Sequence, residues 1–183
     1  MKDTLTFFNI AKPNPDKRDF FTQLSVDFEE FSETVEAIGC KDSTFYNSIE
    51  QAATELRLDI SAAGEEQVNS AWNNIDRLLL ADSLADRYVT LIGTARAAGI
   101  DLEGCIKEVE ASNLSKFIFV GDAELTPQQL GEYAQLANDI EAQGRYTGVI
   151  WKRVGEYIVF YDDKGKIMKC PTTYFEPDLS RFV

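Results

Sequence analysis

The sequence predicts a mainly helical fold that ends in a small β-meander. Residues 16–126 contain no proline, which suits long helices. After Gly144 the pattern changes to short β-prone runs separated by turn sequences. A length of 183 residues is enough for a single domain with a real core.

The first helix is expected from about Asp16 to Ile38, ending at Gly39. Apolar residues recur there at three- and four-residue steps and form one stripe; they are Leu24, Phe28, Phe31, Val35 and Ile38. A second helix is expected to start after Ser43 and run toward Ser61, and a third over 71–98. Asp101 is the expected cap of a fourth, through Ala111, and a capping box at Thr126 starts a helix that ends near Gly144.

The C-terminal part is expected to be different in structure. The β-prone runs are 147–153, 157–161 and 166–169, followed by an extended tail over 171–183. We therefore divide the predicted domain into a helical catalytic core, 1–117, and a part with an extra helix, the meander and the tail packed on the core, 118–183.

The composition excludes several classes of function. A net charge of −13 disfavours nucleic-acid and anionic-membrane binding, and the lack of histidine excludes His-based triads and His-ligated zinc. Cys40, Cys105 and Cys170 are widely spaced and are expected to be reduced thiols. With no signal-peptide core at the start, the prediction is a cytoplasmic protein.

Carboxylates on the first helix could hold a metal ion. Glu29, Glu30, Glu33 and Glu36 lie opposite the apolar stripe, at spacings where like charges repel each other. A solvated acidic face is the simpler interpretation of this helix alone. A bound cation would relieve the repulsion.

Two aspartates interrupt the apolar segment 78–95. Asp82 and Asp86 are one turn apart in a segment expected to be buried on most sides, where a carboxylate is costly unless it is paired or metal-bound. Pairing with Arg77 or Arg87, or exposure of this face to water, is the alternative. Together the two acidic helices favour Mg²⁺, or else Mn²⁺, and therefore phosphate chemistry.

The chain resembles the all-α nucleoside triphosphate pyrophosphohydrolases of the MazG type, especially the phage-encoded branch. The matching segments are Glu29-Glu30-Phe31-Ser32-Glu33, DSLADRYVTLIGTARAAGID, Ser112-Asn113-Leu114-Ser115-Lys116-Phe117 and the ending GKIMKCPTTYFEPDLSRFV. Ser83 stands where the family has a glutamate before Asp86, and Asp82 is expected to substitute for it. Residues 118–160 match least.

The resemblance implies a MazG-like antiparallel helical bundle that hydrolyses a (deoxy)nucleoside triphosphate to the monophosphate and pyrophosphate. It implies metal ligands at Glu30, Glu33, Asp82 and Asp86, catalytic carboxylates at Glu29 and Glu30, and substrate contacts from Asn113 and Lys116. It also implies a homodimer or homotetramer that controls nucleotide pools for a phage, in the host cytoplasm. Phe28 and Tyr88 are candidates for base recognition.

Two alternatives remain open at the level of sequence. One is a non-catalytic acidic protein that mimics DNA, with its charge spread over a surface. The other is a member of the same fold with changed chemistry, such as a nucleotide kinase or a hydrolase of a signalling nucleotide. The chain contains no Walker-type glycine loop, which weighs against an ordinary P-loop kinase.

Overall fold

The computed structural model describes residues 2–183, and the predicted mainly helical character is confirmed. Helices make up 62% of the chain and are accompanied by a small three-stranded antiparallel sheet. The helices are α1 (Lys2–Ala11), α2 (Lys17–Ala37), α3 (Thr44–Ala62), α4 (Glu65–Asn73), α5 (Arg77–Ala98), α6 (Leu102–Leu114) and α7 (Pro127–Ala142). The strands are β1 (Ile118–Phe119), β2 (Ile150–Val154) and β3 (Tyr157–Tyr161), and a 3₁₀ turn covers Ser180–Phe182.

The chain divides into two compact units. One is Asn14–Ala85, and the other joins the described residues up to Pro13 with Asp86–Val183. Each unit has hydrophobic clusters of its own. The MazG-like bundle and the domain boundary between residues 117 and 118 stay predictions.

Helices α2 and α3 form the framework of the unit Asn14–Ala85. Asp16 and Ser43 cap them through side-chain oxygens that accept hydrogen bonds from Asp19 N and Tyr46 N. The Arg18 guanidinium donates to Ile60 O at 2.6 Å, near the far end of α3. The two helices therefore run antiparallel, and their contact places the α2 glutamates beside α3.

A small apolar core holds this unit together. Phe21 of α2, Ile60 of α3 and Val68 of α4 are buried together, with partly buried Phe20 and Trp72 packed against them. Phe20 and Trp72 meet edge to face, with their ring centroids 5.5 Å apart. Burial of these side chains, rather than helix propensity alone, stabilises α2 in place.

The single long helix predicted over 71–98 is wrong, because α4 ends and α5 begins inside that range. The chain leaves helical geometry after Asn73, and the Asp76 carboxylate accepts hydrogen bonds from Leu78 N and Leu79 N at 3.1 and 3.0 Å. An aspartate at this position satisfies donors that a new helix start leaves unpaired. Asp76 thus begins α5 without a proline or glycine to signal the break.

The sheet lies in the other unit and has the order β1-β3-β2. Its central strand β3 is the best buried, since Ile158, Val159 and Phe160 are all 0% exposed. Phe160 and Ile158 pack toward α7, where Tyr133 and Ile140 are buried in the same cluster. Val159 belongs to a second cluster that includes residues of α1.

The predicted meander is correct for two strands and wrong for the third. Residues 166–169 form only an isolated bridge, between Ile167 and Tyr161, and the third strand is the two-residue β1. The Asp162 carboxylate accepts hydrogen bonds from Lys164 N and Lys166 N and holds the chain in a turn there. These contacts compete with continued strand pairing.

Helix α1 has no counterpart among the predicted elements. It buries Ile10 and Ala11 and places Phe7 against Phe117, with stacked rings 5.4 Å apart. Within residues 2–183, none of the helices has both the length and the apolar composition that crossing a bilayer requires. The three cysteines are free thiols, as expected.

Candidate functional site

The acidic face of α2 contains carboxylates in two different situations. The Glu29 carboxylate pairs with the Arg57 guanidinium of α3 at 2.5 Å, and Glu36 pairs with Lys41. Within the described part of the chain, Glu30 and Glu33 have no cationic partner. One turn of helix separates these two residues, so their carboxylates share a face.

Electrostatic strain is concentrated at Glu30. The residue as a whole is exposed, but partial desolvation around the carboxyl raises its pKa. Repulsion from Glu33, Glu29 and Asp27 raises the pKa further. A divalent cation at this face would remove that repulsion.

The Glu30–Glu33 pair fits part of a Mg²⁺ coordination sphere. Both side chains offer oxygen donors, which Mg²⁺ prefers, and water and substrate phosphates commonly complete such a site. Across residues 2–183, no group of three or more histidine, cysteine, aspartate or glutamate side chains is arranged to hold a metal ion. The α2 pair by itself therefore supplies two ligands.

Asp82 and Asp86 lie one turn apart on α5, and both are exposed to solvent. The expectation that α5 is buried on most sides is wrong for a single chain, because Ala95 is its only residue classed as buried within the described structure. A helix that is apolar on most sides needs neighbours on most sides, and one chain supplies few. The Asp82 and Asp86 carboxylates reach water, which is the alternative interpretation of this segment.

Asn113 and Lys116 are brought together at the end of α6. The Lys116 ammonium donates to Asn113 Oδ1 at 2.7 Å and lies 5.4 Å from the centroid of the Phe7 ring. Half-burial lowers the pKa of Lys116, and the neighbouring Lys169 and Lys166 lower it further. The amide and the ammonium form one polar pair.

Each unit has a groove on the surface of its described residues. The larger, about 510 Å³, lies at the start of α2 between Asp16 and Trp72 and contains none of the predicted site residues. The smaller, about 370 Å³, runs between α1 and α6 and includes Asn113. Of the two base-recognition candidates, Tyr88 is 52% exposed and Phe28 is partly buried, and neither lines either of these two grooves.

Sequence reasoning missed Arg57 and the α1 side of the smaller groove. Arg57 is far from Glu29 in sequence, and only the packing of α3 on α2 brings the two together. Thr4, Phe7 and Phe8 line the groove from α1. The aromatic pair Phe7-Phe8 was the one signal in the sequence that could have pointed to this helix.

Comparison of the chain with family models, curated proteins and solved structures found no match.

Proposed function

We propose that this protein is a Mg²⁺-dependent hydrolase that converts a (deoxy)nucleoside triphosphate into the monophosphate and pyrophosphate. The observation that carries the proposal is the Glu30–Glu33 pair, which has no cationic partner in the described chain while Glu29 and Glu36 beside it do. An electrostatically strained pair of carboxylates suits a cation-binding function. The choice of reaction rests on the resemblance in sequence to the MazG-type hydrolases.

The proposed roles divide the carboxylates between binding metal and handling water. Glu30 and Glu33 would hold the ion as two of its ligands, and Asp82 and Asp86 of α5 are the further ligands that the resemblance implies. Glu29 orients the attacking water, because its ion pair with Arg57 fixes the carboxylate and disfavours a second cation on it. When bound, Mg²⁺ supplies charge neutralisation at the phosphates and a lowered pKa of water.

The reaction balances without any further reactant. The water oxygen forms a bond to the α-phosphorus as the bond from that phosphorus to the bridging oxygen breaks. Pyrophosphate leaves with the electron pair of the broken bond. A carboxylate of the Glu29-Glu30 pair accepts the proton of the water. Lys116 binds a phosphate, and Asn113 binds a phosphate or the sugar.

The proposed setting is a homodimer or homotetramer in the cytoplasm that adjusts nucleotide pools, in a phage-infected host if the chain is phage-encoded. The long apolar helix α5 supports the oligomer, since an apolar surface of this extent is more typical of an interface than of a free surface. Mn²⁺ is the alternative ion.

Product analysis tests the reaction. The full chain is incubated with the ribo- and deoxyribonucleoside triphosphates, with Mg²⁺ or with EDTA, and the products are separated. Monophosphate and pyrophosphate in equal amounts, formed only with Mg²⁺, are expected for at least one nucleotide. No turnover of any nucleotide would overturn the proposal and leave the acidic interaction protein as the better account, whereas diphosphate and orthophosphate would indicate changed chemistry.

Substitutions test the metal ligands. Glu33→Gln and Asp86→Asn each remove one ligand charge and should reduce turnover by about a hundredfold or more while the circular dichroism spectrum stays unchanged. Glu36→Gln on the same face of α2 is the matched control, because Glu36 already pairs with Lys41. Full activity of either ligand variant would contradict the assignment of that residue.

A further inference from the structure

The groove between α1 and α6 has the dimensions and lining of a small-molecule site. Its volume of about 370 Å³ lies within the range typical of ligand pockets. The walls are mainly apolar, with Phe7 and Phe8 on one side and Ile106 and Val109 on the other. Phe8 and Val109 remain 39% and 38% exposed, so a flat apolar ligand would cover surface that is otherwise wetted.

Two polar side chains of α6 face this groove one turn apart. The Glu110 carboxylate accepts a hydrogen bond from Thr4 N at 3.0 Å and another from the Thr4 hydroxyl, which ties α1 to α6. Asn113 lines the same groove and is held by Lys116. Nucleic-acid bases stack on aromatic side chains, so the Phe7 and Phe8 walls suit a flat base better than an aliphatic ligand.

Positive charge lies beside the groove, in a chain whose net charge is −13: the Lys116 ammonium is 5.4 Å from the ring centroid of the groove-lining Phe7. The tail docks there, since Thr173 Oγ1 donates to Ser115 O at 2.7 Å and Ser112 Oγ donates to Phe175 O at 2.8 Å. Lys169 and Lys166 both interact electrostatically with Lys116. Lys169 itself pairs with Glu176 at 2.8 Å.

Lys166 reaches the same region through its neighbour Ile167, which packs in one cluster with Phe7 and Phe117. Its ammonium lies 5.7 Å from the centroid of the Tyr146 ring. Within residues 2–183, Lys116 and Lys166 have no ion-pair partner. Lys116 and Lys166, which lack an ion-pair partner, thus interact electrostatically with each other, and Lys116 also interacts with the exposed Lys169–Glu176 pair.

Lys116 is not needed to satisfy the end of α6. A lysine at a helix C-terminus commonly interacts with the last carbonyl groups. Here Ser112 O accepts from Ser115 Oγ, Leu114 O from Phe117 N, and Ser115 O from Thr173 Oγ1. The ammonium therefore remains available to an anion.

We propose that the α1–α6 groove binds the base of a nucleotide, and that Lys116, Lys166 and Lys169 bind its phosphates. This rests on the proposed function for the identity of the phosphorylated ligand as a nucleotide. It adds Lys166, Lys169 and the groove-lining side chains to the substrate site, and it assigns base recognition to α1 and α6 instead of Phe28 or Tyr88.

Calorimetric titration of the full chain in EDTA tests the proposal apart from catalysis. The probes are the nucleoside triphosphates, inorganic triphosphate and the free nucleosides. At least one nucleoside triphosphate should bind more tightly than inorganic triphosphate and more tightly than its own free nucleoside. Lys116→Gln and Lys169→Gln should each weaken nucleotide and inorganic triphosphate by about tenfold, while Lys116→Arg retains binding.

Val109→Glu should weaken the nucleotide by about tenfold and leave inorganic triphosphate unchanged, because it blocks only the apolar part. Lys107→Gln is the control: it removes the same charge from α6 at an exposed ion pair with Glu103. The groove assignment is overturned if no nucleotide binds, if Lys116→Gln behaves like Lys107→Gln, or if folded Val109→Glu binds nucleotide normally.

An activity assay separates this inference from the proposed function. Turnover by the wild type with Mg²⁺, together with an unchanged KM in Lys169→Gln and Val109→Glu, would overturn the groove and leave the hydrolase standing. Groove binding with the predicted variant pattern but no turnover would support the groove and overturn the hydrolase.

Discussion

Glu29 and Glu30 show how two adjacent carboxylates come to differ. Arg57 neutralises Glu29, whereas Glu30 is surrounded by like charges and its pKa is raised, first by partial desolvation and then by Glu33, Glu29 and Asp27. A carboxyl whose folded pKa lies above its unfolded value destabilises the fold at neutral pH. That penalty disappears as pH falls through the raised pKa, because the proton removes the repulsion.

Replacing Glu30 should therefore stabilise the protein and inactivate it. Glu30→Gln removes the repulsion, and we expect the free energy of unfolding by urea at pH 7 to rise by about 0.2–0.5 kcal/mol without Mg²⁺, the size of a solvent-screened like-charge pair. Glu36→Gln is the control, and its free energy of unfolding should not rise. A loss of stability in Glu30→Gln, or equal changes in both variants, would contradict the strain at this position.

Lys116 makes a different prediction about pH. Because burial, Lys169 and Lys166 lower its pKa while Glu176 opposes them, its ammonium loses its proton at a lower pH than an ordinary lysine. Nucleotide affinity should then fall as pH rises through that lowered pKa, measured above about pH 8, where the phosphates no longer titrate. Lys116→Arg should abolish this dependence, and a pH-independent wild type would contradict the role of Lys116.

At the scale of elements, α5 is the helix that leaves a long apolar surface exposed in a single chain. One apolar stripe of α5, with residues at three- and four-residue steps or side by side, is 45–52% exposed. Its members are Leu84, Tyr88, Leu91 and Ile92. Such a stripe is typical of a helix that packs against another helix. The proposed oligomer would bury it.

A charge placed in the α5 stripe should break the oligomer without unfolding the chain. Leu91→Glu is expected to sediment as a monomer with unchanged helical circular dichroism, because Leu91 is 52% exposed in a single chain. Leu58→Glu, at a 62% exposed leucine of α3, is the control and should keep the wild-type mass. A monomeric wild type, or an oligomeric Leu91→Glu, would contradict an interface at α5.

The elements also show what the sequence could and could not predict. Capping signals such as Asp101 and the Thr126 capping box are local, and the helix starts they predict are correct. The break before Asp76 and the two-residue β1 depend on single side chains and on pairing with a distant strand, so they carry almost no periodic signal. The two glutamates of the site follow from spacing on one helix, whereas the Arg57 pairing and the exposure of α5 are set by tertiary packing.

At the scale of the whole molecule, the α2 carboxylates and the α1–α6 groove belong to different compact units. Variants of Glu30 and Glu33 and variants of the groove can therefore be tested independently. The net charge of −13 attracts divalent cations to the protein as a whole, which makes bulk metal binding a poor test of the site. The position at which the substrate is cleaved is a better test than bulk metal binding.

Hydrolysis in ¹⁸O-labelled water tests the central claim most directly. Attack of water on the α-phosphorus places the label in the nucleoside monophosphate and none in the pyrophosphate, and mass spectrometry of the two products distinguishes them. We predict label in the monophosphate alone, only with Mg²⁺, and no labelled product from Glu33→Gln. Label in pyrophosphate or orthophosphate, or no nucleotide turnover, would contradict the account.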